Sequence, residues 1–157
     1  MTSKDINKLF REKGLTLGSV ESFTGGMFAS EITAVPGASH FYKGGLVTYM
    51  TEEKVRLLGI SYDVVDQFGV VSKEVASLMA IRGAQALQCD VCVSFTGNAG
   101  PEAMENKPAG RIYIAVYAFE DCEVYKYNLK GNRDDVRRQA IDESYRLINE
   151  KILKKLG

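Results

Sequence analysis

Histidine is nearly missing from this 157-residue chain; His40 is the only one. That removes most histidine-based metal sites and leaves any histidine-centred triad dependent on a single residue. Excess charge is missing too, with twenty Lys and Arg against twenty Asp and Glu. A broad electrostatic footprint for DNA, RNA or an acidic membrane surface is therefore not expected, although a small local anion site is allowed. Apolar runs are far shorter than the roughly 20 residues that span a bilayer. The first residues, MTSKDINKLFREKG, lack the apolar core of a signal peptide, so a cytoplasmic protein is expected. The three cysteines are an odd number and provide no disulfide framework. Cys89 and Cys92 have CxxC spacing, but the β-rich run around them puts them on opposite strand faces, and no second ligand pair accompanies them. They read as buried structural thiols. Also absent are the phosphate-loop pattern GxxxxGK[ST], the dinucleotide pattern GxGxxG, the nucleophile elbow GxSxG, HExxH and SxxK.

What is present is an ordinary globular composition, 45% hydrophobic and 25% charged. The length suits one domain over 1–157, with no linker or repeat dividing it. Apolar spacing predicts a first helix between Ser3 and Gly14, a strand over 15–20 and a helix over 27–33. A strand follows over 45–50, then a helix over 52–59, an irregular stretch over 60–71 with room for one helical turn, and a helix over 73–88 capped by Ser72. VCVSF (91–95) and RIYIAVYAF (111–119) read as buried strands, EVYKYNL (123–129) as a partner or edge strand, and 134–156 as the last helix. The order predicts an α/β fold, a three-layer α/β/α sandwich with a mixed β-sheet. Ligands of such sheets bind outside the carboxyl ends of strands, where two glycine-bearing loops fall here.

The first loop, Ser22-Phe23-Thr24-Gly25-Gly26, joins a strand to a helix. Paired glycines admit a close backbone approach, and a helix start offers N–H donors to an anion or an oxyanion. The same residues also make a plain structural turn. The second loop, Thr96-Gly97-Asn98-Ala99-Gly100-Pro101, has hydroxyl and amide groups that suit a ribose or an amide, or simply a long connection. For nucleophilic work there remains a hydroxyl with a lysine: Ser22, with Tyr49 and Lys54 around the second strand and its helix, and Thr51 one helical turn before Lys54. Lysine serves as a base only if burial or a neighbouring cation depresses its pKa. Otherwise Lys54 is a solvated helix residue and Tyr49 a core aromatic. Arg133, Arg137 and Arg138 open the last helix, spaced either to clamp a phosphate or to pair with Asp134, Asp135 or Asp142.

In combination, ESFTGG (21–26), VPGASHFYKGGLVTY (35–49), Lys54, GVVSKEVASLMA (69–80), TGNAGPEAMENKPAGRIYIAV (96–116) and GNRDDVRRQA (131–140) resemble the CinA C-terminal domain family over nearly the whole chain. Characterised members of that family are nicotinamide mononucleotide deamidases. The resemblance implies a serine amidohydrolase that yields nicotinate mononucleotide and ammonia, needs no metal or redox cofactor, and forms a homodimer or higher homo-oligomer. It implies Ser22 as nucleophile, Lys54 as general base and Tyr49 as an aid to proton transfer or orientation. It also implies Gly25 and Gly26 amides facing the oxyanion, with Thr24, Ser39, Thr96, Gly97 and Arg133 or Arg137 holding ribose or phosphate. Three features depart from the family pattern: Phe23 stands where a cysteine is usual, Asn98 where an apolar residue is usual, and Glu102-Ala103-Met104 where glycines are common. A silent nucleotide-binding or interaction module, and an amidohydrolase for another small amide, are the alternatives those departures leave open.

Overall fold

The computed structural model describes residues 1–156. Its elements run α1 (Ser3–Lys13), β1 (Leu17–Glu21), α2 (Met27–Thr33), β2 (Tyr42–Val47), α3 (Thr51–Leu58), α4 (Tyr62–Phe68), α5 (Lys73–Leu87), β3 (Val91–Gly97), β4 (Arg111–Ala118), β5 (Asp121–Asn128) and α6 (Arg133–Leu156). The five strands form one sheet in the order β2-β1-β3-β4-β5. β1 lies parallel to both β2 and β3, while β3–β4 and β4–β5 are antiparallel. This is the expected mixed sheet.

Two apolar layers sandwich it. Ile6 and Phe10 of α1, Phe28 and Ile32 of α2, and Ile141, Tyr145 and Ile148 of α6 bury against Leu17, Val93, Phe95, Ile112 and Ile114. On the other face Leu58 of α3 and Val75 and Met79 of α5 pack on Val20 and Cys92, with Val64 and Val65 of α4 at the edge. Burying each large aliphatic side chain contributes about 1.5–3 kcal/mol, so the α6 stripe is a main anchor of the first layer. β4, covered on both faces, has the continuous apolar character its sequence shows.

Chain ends of the elements follow local chemistry. Thr2 and Asp5 form a capping box at α1, and Gly14 closes it in the left-handed conformation. Ser72 caps α5 through the Val75 amide.

Three expectations are corrected. The second strand begins at Tyr42, not at residue 45, because it must pair from Leu17 onward; its Gly44-Gly45 pair masks the strand pattern. The stretch over 60–71 contains a full helix, α4, which has no buried residue and so leaves no apolar stripe to read. Cys89 precedes β3, so strand alternation does not apply to it. Cys89 and Cys92 both pack on the α5 side, and Cys89 and Cys122 are only half-buried.

The topology gathers one end of the sheet. β1, β2 and β3 finish there, β4 and α6 begin there, and the chain passes from β1 to β2 on one side while β3 lies on the other. β1 therefore ends at the point where the strand order reverses, the usual place for a ligand crevice.

Candidate active site

Ser22 is the first residue after β1, and its amide donates to the Phe95 carbonyl at 3.0 Å, which ties the turn to β3. Gly25 and Gly26 both take positive φ, +60° and +104°, so the chain reverses sharply into α2 without a Cβ penalty. The turn is held from two sides. Glu21, 1% exposed, accepts hydrogen bonds from the amides of Gly26 (3.2 Å), Phe28 (3.0 Å) and Ala29 (3.1 Å). Arg137 donates from Nε to the Phe23 carbonyl at 3.2 Å and from Nη2 to the Thr24 carbonyl at 3.0 Å.

Lys54 is fully buried, and its Nζ lies 3.0 Å from Ser22 Oγ. The amine also donates to the carbonyls of Thr48 at 2.5 Å and Tyr49 at 3.3 Å. It forms no ion pair among the described residues, and burial alone pulls its pKa from 10.5 down to about 8. As an ammonium it donates to all three oxygens, those of Ser22, Thr48 and Tyr49. Once neutral it keeps two N–H groups for the two carbonyls and has its lone pair for the serine hydroxyl. The pattern TEEKVRLL over 51–58 looks like a solvated helix, but Lys54 is on the face that α3 turns inward.

A cavity of about 180 Å³ opens beside this pair, lined by Ser22, Phe23, Tyr49, Thr51, Val70 and Gly97 together with Asn98, Ala99, Met104 and Arg133. Arg133 at the start of α6 donates to the Gly100 carbonyl at 2.7 Å and to the Tyr49 hydroxyl at 3.0 Å, bridging two rims. Ser22, Lys54, Tyr49, Gly97 and Arg133 are thus brought together.

The other expected residues take different places. Tyr49 meets Lys54 through its carbonyl, while its phenol, on an exposed side chain, goes to Arg133. Arg137 faces the turn carbonyls and is not among the residues lining the cavity. Thr24 is wholly buried with its hydroxyl unpartnered, and the Thr96 hydroxyl donates to the Val70 carbonyl at 2.9 Å. Ser39 sits in a single 3-10 turn (Ala38–His40) just before β2, at the opposite end of the sheet. The Gly25 and Gly26 amides are already used, by the Ser22 carbonyl and the Glu21 carboxylate. Among the described residues the free amides of this turn are those of Phe23 and Thr24. Asn98 closes its own loop, donating to the Glu102 carbonyl and accepting from the Gly100 amide. Glu21, Thr48 and Val70 were not singled out in the sequence, whereas Met104 was noted as part of the Glu102-Ala103-Met104 departure from the family pattern. Of the first three only Glu21 carried a signal, an acidic residue at a strand end just ahead of a helix start.

No cluster of His, Cys, Asp and Glu suited to a metal occurs among the described residues, and no described helix is long and apolar enough to cross a membrane.

Known proteins resemble the chain throughout. It is 38% identical over 146 residues to proteins of Listeria innocua and Bacillus subtilis, both carrying the name competence-damage inducible protein. Those matches cover 92% of this chain and 35% of theirs, so the chain spans about a third of the length of the curated relatives it matches. Among solved structures, a competence or damage-inducible protein from Enterobacter asburiae superposes with a TM-score of 0.91 at 28% identity, covering 94% of each chain. A CinA superfamily protein from Escherichia coli gives 0.87 at 28% identity, covering 88% of this chain and 81% of the other. The profile described as CinA C-terminal domain matches residues 1–152, and the chain belongs to that family.

Proposed function

We propose that this protein hydrolyses a carboxamide, with nicotinamide mononucleotide as the substrate implied by its family resemblance. The observation that carries this reading is the contact between the buried Lys54 amine and Ser22 Oγ at 3.0 Å. Lys54 takes the Ser22 proton as Oγ attacks the amide carbon, and returns it to the departing nitrogen, so ammonia leaves and an acyl-serine remains. Water then attacks the ester with Lys54 again as base, releasing the carboxylate and restoring the hydroxyl. The free amides of Phe23 and Thr24 are the donors this reading assigns to the developing oxyanion, in place of Gly25 and Gly26. The cavity, at about 180 Å³, is smaller than the roughly 300–1,000 Å³ of pockets that enclose whole ligands. The amide end of the substrate enters it, and an anionic remainder lies across the rim at Arg133. In this reading the protein acts in the cytoplasm as a homodimer or higher homo-oligomer, as the resemblance implies.

The test is ammonia release from nicotinamide mononucleotide, compared with a Ser22→Ala protein. Activity equal in the two overturns the reading. A nucleotide-binding module without turnover is favoured instead if the wild type binds the nucleotide saturably yet releases no ammonia.

The pH dependence has a definite sign. Lys54 is a base only when neutral, and its pKa lies near 8. The rate is expected to rise about tenfold per pH unit well below 8 and to level off above it. A kcat/KM profile over pH 6–10 checks this; a profile falling through pH 8 would mean that the ammonium is the working form.

Arg137 acts through the turn that presents Ser22. Arg137→Ala is expected to lower kcat roughly 10- to 100-fold with little change in KM, since displacement of the nucleophile is penalised at that scale. Arg137→Lys, which lacks the two-pronged fork, should restore only part of the loss. Steady-state kinetics on both variants checks the split.

A further inference from the structure

The loop over 98–110 forms one wall of the cavity, and it is not loosely draped. Met104 and Lys107 pair with each other through their backbones, at 3.1 Å and 2.8 Å. The two residues between them, Glu105 and Asn106, take φ of +54° and +59°, the left-handed pair that a two-residue turn demands. Side chains of that turn fasten it to the segment between α4 and α5. Glu105 accepts from the amides of Val70 at 2.9 Å and Val71 at 3.0 Å, while Lys107 donates to the carbonyls of Phe68, at 3.2 Å, and of Val71. The carboxylate and the ammonium also meet, at 3.4 Å. Gly69 makes this possible, because a Cβ there would stand 2.7 Å from Glu105 Oε1 and 2.8 Å from Lys107 Nζ. The far side of the segment is fixed by Thr96, whose hydroxyl donates to the Val70 carbonyl.

The clasp has one consequence at the cavity. Met104 and Val70, from the two clasped segments, both line it, as do Phe23 and Ala99. Met104 is 41% exposed, too open to serve as a core residue. We propose that Met104 is a specificity-determining residue that limits the bulk of the acyl group admitted beside Ser22, and that Glu105 and Lys107 are positioning residues that hold it there. This rests on the amidase reading for the chemistry of the ligand, but not for the shape of the wall.

Binding to the Ser22→Ala protein separates the two. Nicotinamide and quinoline-3-carboxamide, which differ by one fused ring, are titrated by NMR into Ser22→Ala and into Ser22→Ala/Met104→Ala. Removing the wall should shift the ratio of dissociation constants at least tenfold toward the fused-ring amide, the scale on which small steric differences discriminate. Glu105→Ala on the same background should shift it in the same direction, and Glu105→Gln, which keeps an acceptor, should shift it less. A ratio that moves less than tenfold in the Met104 variant, or failure of nicotinamide to bind Ser22→Ala, overturns the proposal. Ammonia release by the wild type alongside an unchanged ratio rejects the wall and leaves the amidase. A ratio that shifts between those variants, alongside a wild type without turnover, does the reverse.

Discussion

Ser22→Ala and Lys54→Met are each expected to cut kcat/KM for amide hydrolysis by at least about 10³-fold, and the double variant to be no worse than the poorer single. The two side chains touch at 3.0 Å and act on one proton, so losing either disables the unit they form. Methionine is the informative replacement for Lys54, which is completely buried. It fills similar space and removes the donor, the charge and the base together. Circular dichroism confirms that the variants fold, and ammonia release measures the loss. A Lys54→Met protein with a tenth or more of wild-type activity would remove lysine from the mechanism. Losses that multiply in the double variant would mean that Ser22 and Lys54 serve separate steps.

The pair and its roles came from the family resemblance of the ordered motifs, whereas spacing alone left Lys54 open as a solvated helix residue. Lys54 occupies a stretch whose charged neighbours, Glu52, Glu53 and Arg56, suggest a solvated helix. Its depressed pKa comes from burial against the end of β1, a tertiary effect that local pattern does not carry. The layered α/β/α architecture was legible since α6, β3 and β4 bury long continuous apolar surfaces. α4 was not, because it only half-buries Val64 and Val65 at the edge of the second layer. Local pattern also failed to say which end of the sheet a loop joins. Ser39 belongs to a motif that leads to Tyr49, yet the six residues of β2 separate the two ends. The glycines at 25 and 26 raised the expectation of free amides, and the sequence alone could not show that Glu21 had claimed one of them. Arg137 was legible as a site cation, whereas its target, the carbonyls of Phe23 and Thr24, exists only once the turn has formed.

Glu21 carries the largest expected effect on stability. Its carboxylate is 1% exposed and satisfies three amides at the head of α2, two through Oε1 and one through Oε2. It also places negative charge at the positive end of that helix. Glu21→Ala leaves one buried and two part-buried donors unpaired, each costing up to about 1–3 kcal/mol before relaxation. Allowing for partial relaxation, a net loss of about 3–5 kcal/mol is expected, the scale of breaking a buried charged network. For a chain of this size that lowers the melting temperature by roughly 10 °C or more. Glu21→Gln keeps the oxygen that serves Gly26 and Phe28 but turns an amide group toward the Ala29 N–H, so about half the loss is expected. Differential scanning calorimetry measures both. Formate supplies the missing carboxylate to the space left in Glu21→Ala, and should raise its melting temperature by more than it raises that of the wild type. An alanine variant that melts with the wild type would show that α2 and the Ser22 turn are held by packing of Phe28 and Ile32 alone, with Glu21 a passenger.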